Sequence, residues 1–125
     1  MTENEIAKIV FETSLALHRN YGPGLFESVY EEILNYELMR KGLYVERQKP
    51  IPVYHNEIKM EVGFRADLVI ENKVVAELKS VEDLTKVHYK QVITYLKLTK
   101  CKLGLLINFN VDLLKDGFHR IVNGL

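Results

Sequence analysis

The chain has 125 residues, which allows one folded domain with a real core but hardly two. Hydrophobic residues make up 47% and charged residues 27%, an ordinary globular balance that argues against disorder. Seventeen basic side chains cancel seventeen acidic ones, so bulk attraction to nucleic acid is excluded and any such site must rest on local placement of charge.

The first predicted element is a helix from about Thr2 to Tyr21. Ile6, Ile9, Val10, Thr13 and Leu17 recur at three and four and form one stripe, and Thr2 and Glu5 have capping-box spacing. Gly22-Pro23-Gly24 breaks the chain. A second helix is predicted from about Phe26 to Lys41, with Val29, Tyr30, Ile33 and Leu34 apolar and Gly42 as its stop. Leu43 to Val62 reads as two strands turning near His55-Asn56-Glu57. Pro50 and Pro52 cannot donate ladder hydrogen bonds, so the first of these is expected at a sheet edge or interrupted.

Two further strands lie in FRADLVIENKVVAELK, Phe64 to Lys79, turning at Glu71-Asn72-Lys73. A third helix fits Leu84 to Thr99, and Leu103 to Phe109 (LGLLINF) has the continuous apolar pattern of a strand covered on both faces. The segment from Gly117 to Val122 gives a weak signal for a last strand. This order predicts an α/β fold, a mixed central sheet flanked by helices, in one domain spanning residues 1–125. The helix between the fourth strand and LGLLINF suits a crossover, so those two strands are expected to be parallel.

Cys101 is the single cysteine, which rules out an intrachain disulfide and fits a reducing cytoplasm. MTENEIAK has no basic stretch leading into an apolar one, so no signal peptide is expected. The longest apolar run, Leu103 to Ile107, is too short to span a bilayer, so no membrane partner is expected.

The strands from Phe64 to Lys79 carry charges that packing does not require. Glu77 and Lys79 are two apart and share a face with Val75, while Ala76 and Leu78 point the other way. A three-residue loop at Glu71-Asn72-Lys73 sets Asp67 opposite Glu77 on that face; a two-residue loop sets it opposite Leu78. Two adjacent carboxylates repel unless compensated, and carboxylates with water are what Mg²⁺ prefers. A solvated sheet face with a cross-strand ion pair explains the same residues. On the third helix His88, Gln91 and Tyr95 share a side. Glu27 opens the second helix, where the helix dipole favours an acid, with Tyr30 one turn on at the apolar side. Lys86, Lys90 and Lys97 on the third helix suit a phosphate backbone or an ordinary solvated face. Arg65 shares the face of Asp67 and suits a phosphate or an acidic partner.

Together these residues resemble the PD-(D/E)xK nuclease superfamily: an acid in one strand (Asp67), then Glu77-Leu78-Lys79 in the next. Gly24-x-x-Glu27-x-x-Tyr30 is similar to the signature of the small GxxExxY proteins of that superfamily, and Gln91-x-x-x-Tyr95 to its helical Q-x-x-x-Y motif. Ala66 stands where the superfamily often has proline. The resemblance implies a restriction-endonuclease-like core and a phosphodiesterase centre dependent on Mg²⁺ or Mn²⁺. It implies Asp67, Glu77 and the Leu78 carbonyl as metal ligands, with Glu27 completing the acidic shell. It also implies Lys79 as the residue that positions the attacking water. Gln91 and Tyr95 would support the site or touch phosphate, and Tyr30 and His88 are further supporting candidates.

The implied partner is nucleic acid, DNA or RNA, with a protein partner or a second copy as candidates for completing so small a surface. A module that keeps the fold without cutting, for nucleic-acid binding or protein assembly, is the competing class, and a plain structural domain the third. The nuclease reading expects Glu27, Asp67, Glu77 and Lys79 around one pocket, with raised carboxyl pKa values.

Overall fold

The computed structural model describes residues 1–125. Its elements are α1 (Glu3–Tyr21), α2 (Glu27–Arg40), β1 (Val45–Ile51), β2 (Tyr54–His55), β3 (Ile58–Lys59), β4 (Phe64–Ile70), β5 (Val74–Lys79), α3 (Lys86–Thr99), β6 (Leu103–Asn108), α4 (Leu114–Gly117) and β7 (Phe118–Val122).

Local chemistry sets the ends of the first two helices. The Thr2 side chain accepts the Glu5 N–H at 3.2 Å and Glu5 accepts the Thr2 N–H at 3.1 Å, so the capping box forms. At the far end of α2, Gly42 N–H bonds to the Met39 carbonyl and Leu43 N–H to the Leu38 carbonyl. Those bonds close a Schellman turn, which needs the φ of +87° that Gly42 supplies.

Five strands form one mixed sheet in the order β1-β4-β5-β6-β7. β5 and β6 run parallel, as the α3 crossover predicts, and the other neighbours are antiparallel. All of β6 is buried. Helices α1 and α2 cover one face, where Ile6, Val10, Tyr30 and Leu34 pack on Leu78 and Leu105. On the other face α3 brings Val92, Tyr95 and Leu96 against Val69, Val75 and Leu106. The restriction-endonuclease-like α/β core expected from the sequence is therefore present. No helix is long and apolar enough to cross a membrane.

The segment from Leu43 to Val62 departs from expectation. Its first strand is an edge strand, as the prolines require, but it stops at Ile51, and the chain after Pro52 forms a separate two-stranded hairpin, β2-β3. The turn does fall at Asn56 and Glu57, both with positive φ. The weakly signalled last strand is real, and α4 immediately precedes it.

Candidate functional site

The site begins where β4 and β5 part. Their register, Ile70 with Val74, Val69 with Val75 and Leu68 with Ala76, is the one a three-residue loop requires. Glu71 and Asn72 make the turn in left-handed conformation. The ladder pairing stops at Leu68–Ala76, and the next position is Asp67 beside Glu77. There the carboxylates take over from the backbone. Asp67 N–H donates to Glu77 Oε1 at 3.0 Å, and Leu78 N–H donates to Asp67 Oδ2 at 2.9 Å. Each acid thus satisfies a backbone amide where the ladder pairing is interrupted.

Glu77 is 3% exposed and Asp67 is half-buried. Burial, reinforced by the Asp67 charge, pushes Glu77 up to about 8 from its ordinary 4.5. Burial also raises Asp67, against the lowering effect of the Leu78 hydrogen bond, and the Glu31 charge adds to the rise. The expected rise is present, but its main cause is desolvation rather than crowding of acids.

Lys79 follows on the same face, half-buried, and makes no salt bridge. Its positive charge is a lesser influence on Glu77. On α3, Gln91 Nε2 donates to Tyr95 Oη at 2.9 Å. Burial raises Tyr95 to about 12, helped by the Glu77 and Asp67 charges. Gln91 and Tyr95 thus form a polar wall on the α3 side of the pair. His88 is turned away from that wall: its Nδ1 accepts the Thr85 N–H at 3.0 Å at the start of α3.

Glu27 meets the chain just past β5. It is exposed, and its Oε1 accepts the N–H of Ser80 at 3.2 Å, just beyond the end of β5. Ser80 also donates its hydroxyl to the Leu25 carbonyl at 3.0 Å, tying the β5 exit to the loop before α2. Tyr30 explains the glycine-rich loop. Its buried ring stacks on Phe109 at 4.3 Å, its hydroxyl donates to the Gly22 carbonyl at 2.6 Å, and it accepts the Leu25 N–H at 3.1 Å. Gly24, with φ of +115°, makes the bend between those two anchors. Tyr30 therefore holds the loop that delivers Glu27 and does not itself face Asp67. Asn108 pins the other side: its side chain accepts the Val81 N–H at 3.1 Å and donates to the Val81 carbonyl at 2.9 Å.

Asp67 and Glu77 meet through their hydrogen bonds, and Glu27 reaches Ser80, the residue next to Lys79. Glu27 lines a recess with Leu25, Phe26, Ser28 and Ser80, while no cavity is lined by Asp67, Glu77 or Lys79. No three His, Cys, Asp or Glu side chains gather as a metal-holding group.

The acid that acts on Asp67 from α2 is Glu31, which the sequence reading passed over. Glu31 is 5% exposed, pairs with Arg47 Nε at 2.6 Å and accepts from Gln48 Nε2 at 2.6 Å. Gln48 also donates to Asp67 Oδ1 at 3.2 Å. Arg65, expected near Asp67, reaches the Gln48 carbonyl at 3.4 Å. The available signal for Glu31 was its position four residues after Glu27, one helical turn on.

A family model of the PD-(D/E)XK nuclease superfamily matches residues 4–121. The chain belongs to that superfamily. The match runs from α1 into β7 and so takes in all of the sheet but its last residue. No curated protein and no solved structure matches the chain. Asp67 on β4 and Glu77-Leu78-Lys79 on β5 lie within the matched residues.

Proposed function

We propose that this PD-(D/E)XK protein hydrolyses nucleic-acid phosphodiester bonds with Mg²⁺ or Mn²⁺, and that Asp67, Glu77 and Lys79 carry the chemistry. The observation behind this is the Asp67–Glu77 pair itself: two carboxylates on neighbouring strands, one of them deeply buried, with an unpaired lysine two residues on. A functionless sheet would lose little by having a neutral residue at Glu77.

The donor set suits a divalent cation. Mg²⁺ is commonly held by one or two carboxylates and keeps several waters, so a sparse site is adequate. Asp67, Glu77 and the Leu78 carbonyl would hold it; the Leu78 N–H points to Asp67, and in a strand the carbonyl of a residue lies on the same edge as its N–H. Glu27, beside Ser80, would enter through water. When bound, the metal would polarise a phosphoryl oxygen and acidify a coordinated water. Lys79 would orient that water and offset charge developing on the phosphate. The Gln91–Tyr95 pair would support the α3 side of the phosphate, with the Tyr95 hydroxyl accepting from Gln91 and able to donate its own proton.

The second reading is a nuclease-fold module that binds nucleic acid or a protein without cutting. It is favoured by the missing three-acid group and by the zero net charge. In that reading Asp67 and Glu77 serve only to cap the parting strands. Incubation with single- and double-stranded DNA and RNA in Mn²⁺, beside Lys79→Ala and Asp67→Ala, separates the two. Cleavage by the parent that both substitutions abolish supports the enzyme. Identical inactivity of all three proteins supports the module.

A further inference from the structure

We propose that Gln48 is a positioning residue for the metal ligand Asp67, holding its carboxylate through a bridge to the buried Glu31–Arg47 pair; this inference rests on the reading of Asp67 as a metal ligand. Three independent features of Gln48 carry it. The first is its backbone. Gln48 lies inside β1 yet has φ of +51°, a left-handed conformation disfavoured for a residue with a Cβ. Pairing to β4 continues in the same register on both sides, Arg47 with Leu68 and Lys49 with Ala66, and is interrupted only between Gln48 and Asp67. No residue is inserted, so this is not a bulge: one residue is turned on the spot, opposite the catalytic candidate.

The second feature is what the turn achieves. Gln48 Nε2 donates at 2.6 Å to Glu31 Oε1 and at 3.2 Å to Asp67 Oδ1. A primary amide has two N–H donors and no charge, so one nitrogen can bridge two carboxylates without being consumed as a counter-ion. Leucine would take one donor from each acid, and glutamate would add another negative charge. The third feature is the anchoring of the bridge. Glu31 is fixed from behind by Arg47 Nε at 2.6 Å, and the Gln48 carbonyl is held by Arg65. With Leu78 N–H on Oδ2, Asp67 has one donor on each oxygen, which fixes the plane of its carboxylate.

Such partners of metal ligands typically alter metal affinity by about 10–100-fold when removed. The test must separate the side chain from the strained backbone. Gln48→Gly tolerates positive φ but has no amide; Gln48→Leu keeps bulk and loses both donors. Each is titrated with Mn²⁺ by calorimetry and unfolded with urea in the absence of metal. We expect both variants to bind Mn²⁺ about tenfold more weakly, with Gln48→Gly retaining the parent's urea midpoint. Mn²⁺ affinity within twofold of the parent in both variants would overturn the inference, as would loss of affinity only in a variant that has also lost stability. A parent that binds no Mn²⁺ would instead remove the metal-centre reading, and this inference with it; a parent that binds while both variants match it would remove this inference alone.

Discussion

Replacing Glu77 by glutamine should make the metal-free protein more stable at neutral and alkaline pH while abolishing metal binding. Glu77 has its pKa raised from 4.5 to about 8, so folding favours the protonated carboxyl. Its contribution to stability is intact below pH 4.5 and is lost progressively as pH rises through about 8. One pKa unit is worth about 1.4 kcal/mol, so at pH 7 the parent is penalised by on the order of 3 kcal/mol relative to a neutral residue. Asp67, also raised, adds a penalty of the same sign. Glutamine keeps an oxygen for the Asp67 N–H and carries no charge. Urea unfolding at pH 5, 7 and 8.5 in EDTA measures the effect. The parent should lose stability across that range, and Glu77→Gln should be flatter and ahead at pH 8.5. With Mn²⁺ at about a hundredfold its dissociation constant the parent should recover about 2.7 kcal/mol and the variant nothing. A Glu77→Gln protein less stable than the parent at pH 8.5 would refute this account of burial and charge.

Other expectations follow from single contacts. Tyr30→Phe removes the hydroxyl bonds to Gly22 and Leu25 but keeps the stack on Phe109; it should cost about 1–3 kcal/mol in urea unfolding and lower cleavage through Glu27. Lys79→Met removes a side chain with no salt bridge, so unfolding free energy should stay within about 0.5 kcal/mol while cleavage disappears; a large loss of stability would mean Lys79 is structural. Asn108→Ala strands the Val81 amide and carbonyl and should cost about 1–3 kcal/mol, with faster amide exchange at Ser80 and Val81 as the local readout.

Where the sequence was read correctly, local rules and burial point the same way. The β4–β5 loop is one case: a three-residue turn, or a bulge, is needed to put Asp67 and Glu77 on one face, and the strands pair in the three-residue register. Continuous apolar character foretold the buried β6, and the crossover helix its parallel pairing. What was not legible depends on how elements dock. Glu31 looks like any acid beside Glu32 on a helix; only the packing of α2 against β1 buries it and pairs it with Arg47. Gln48 betrays nothing in sequence, because the two carboxylates it joins come from α2 and β4. His88 shares a helical side with Gln91 and Tyr95, but as the third residue of α3 it is captured by the free amide of Thr85. The contact of Glu27 was not legible either: the bend at Gly24 and the Tyr30 anchor bring its carboxylate to the Ser80 N–H.

The central claim is that the parting of β4 and β5 forms a metal centre. Adding substoichiometric Mn²⁺ to ¹⁵N-labelled protein tests it directly, since the paramagnetic ion broadens amide signals by proximity. The account predicts broadening centred on Asp67, Glu77 and Leu78, extending to Ser80 and Gln48, and absent from Asp67→Ala. Broadening centred elsewhere, or none at all, would contradict it.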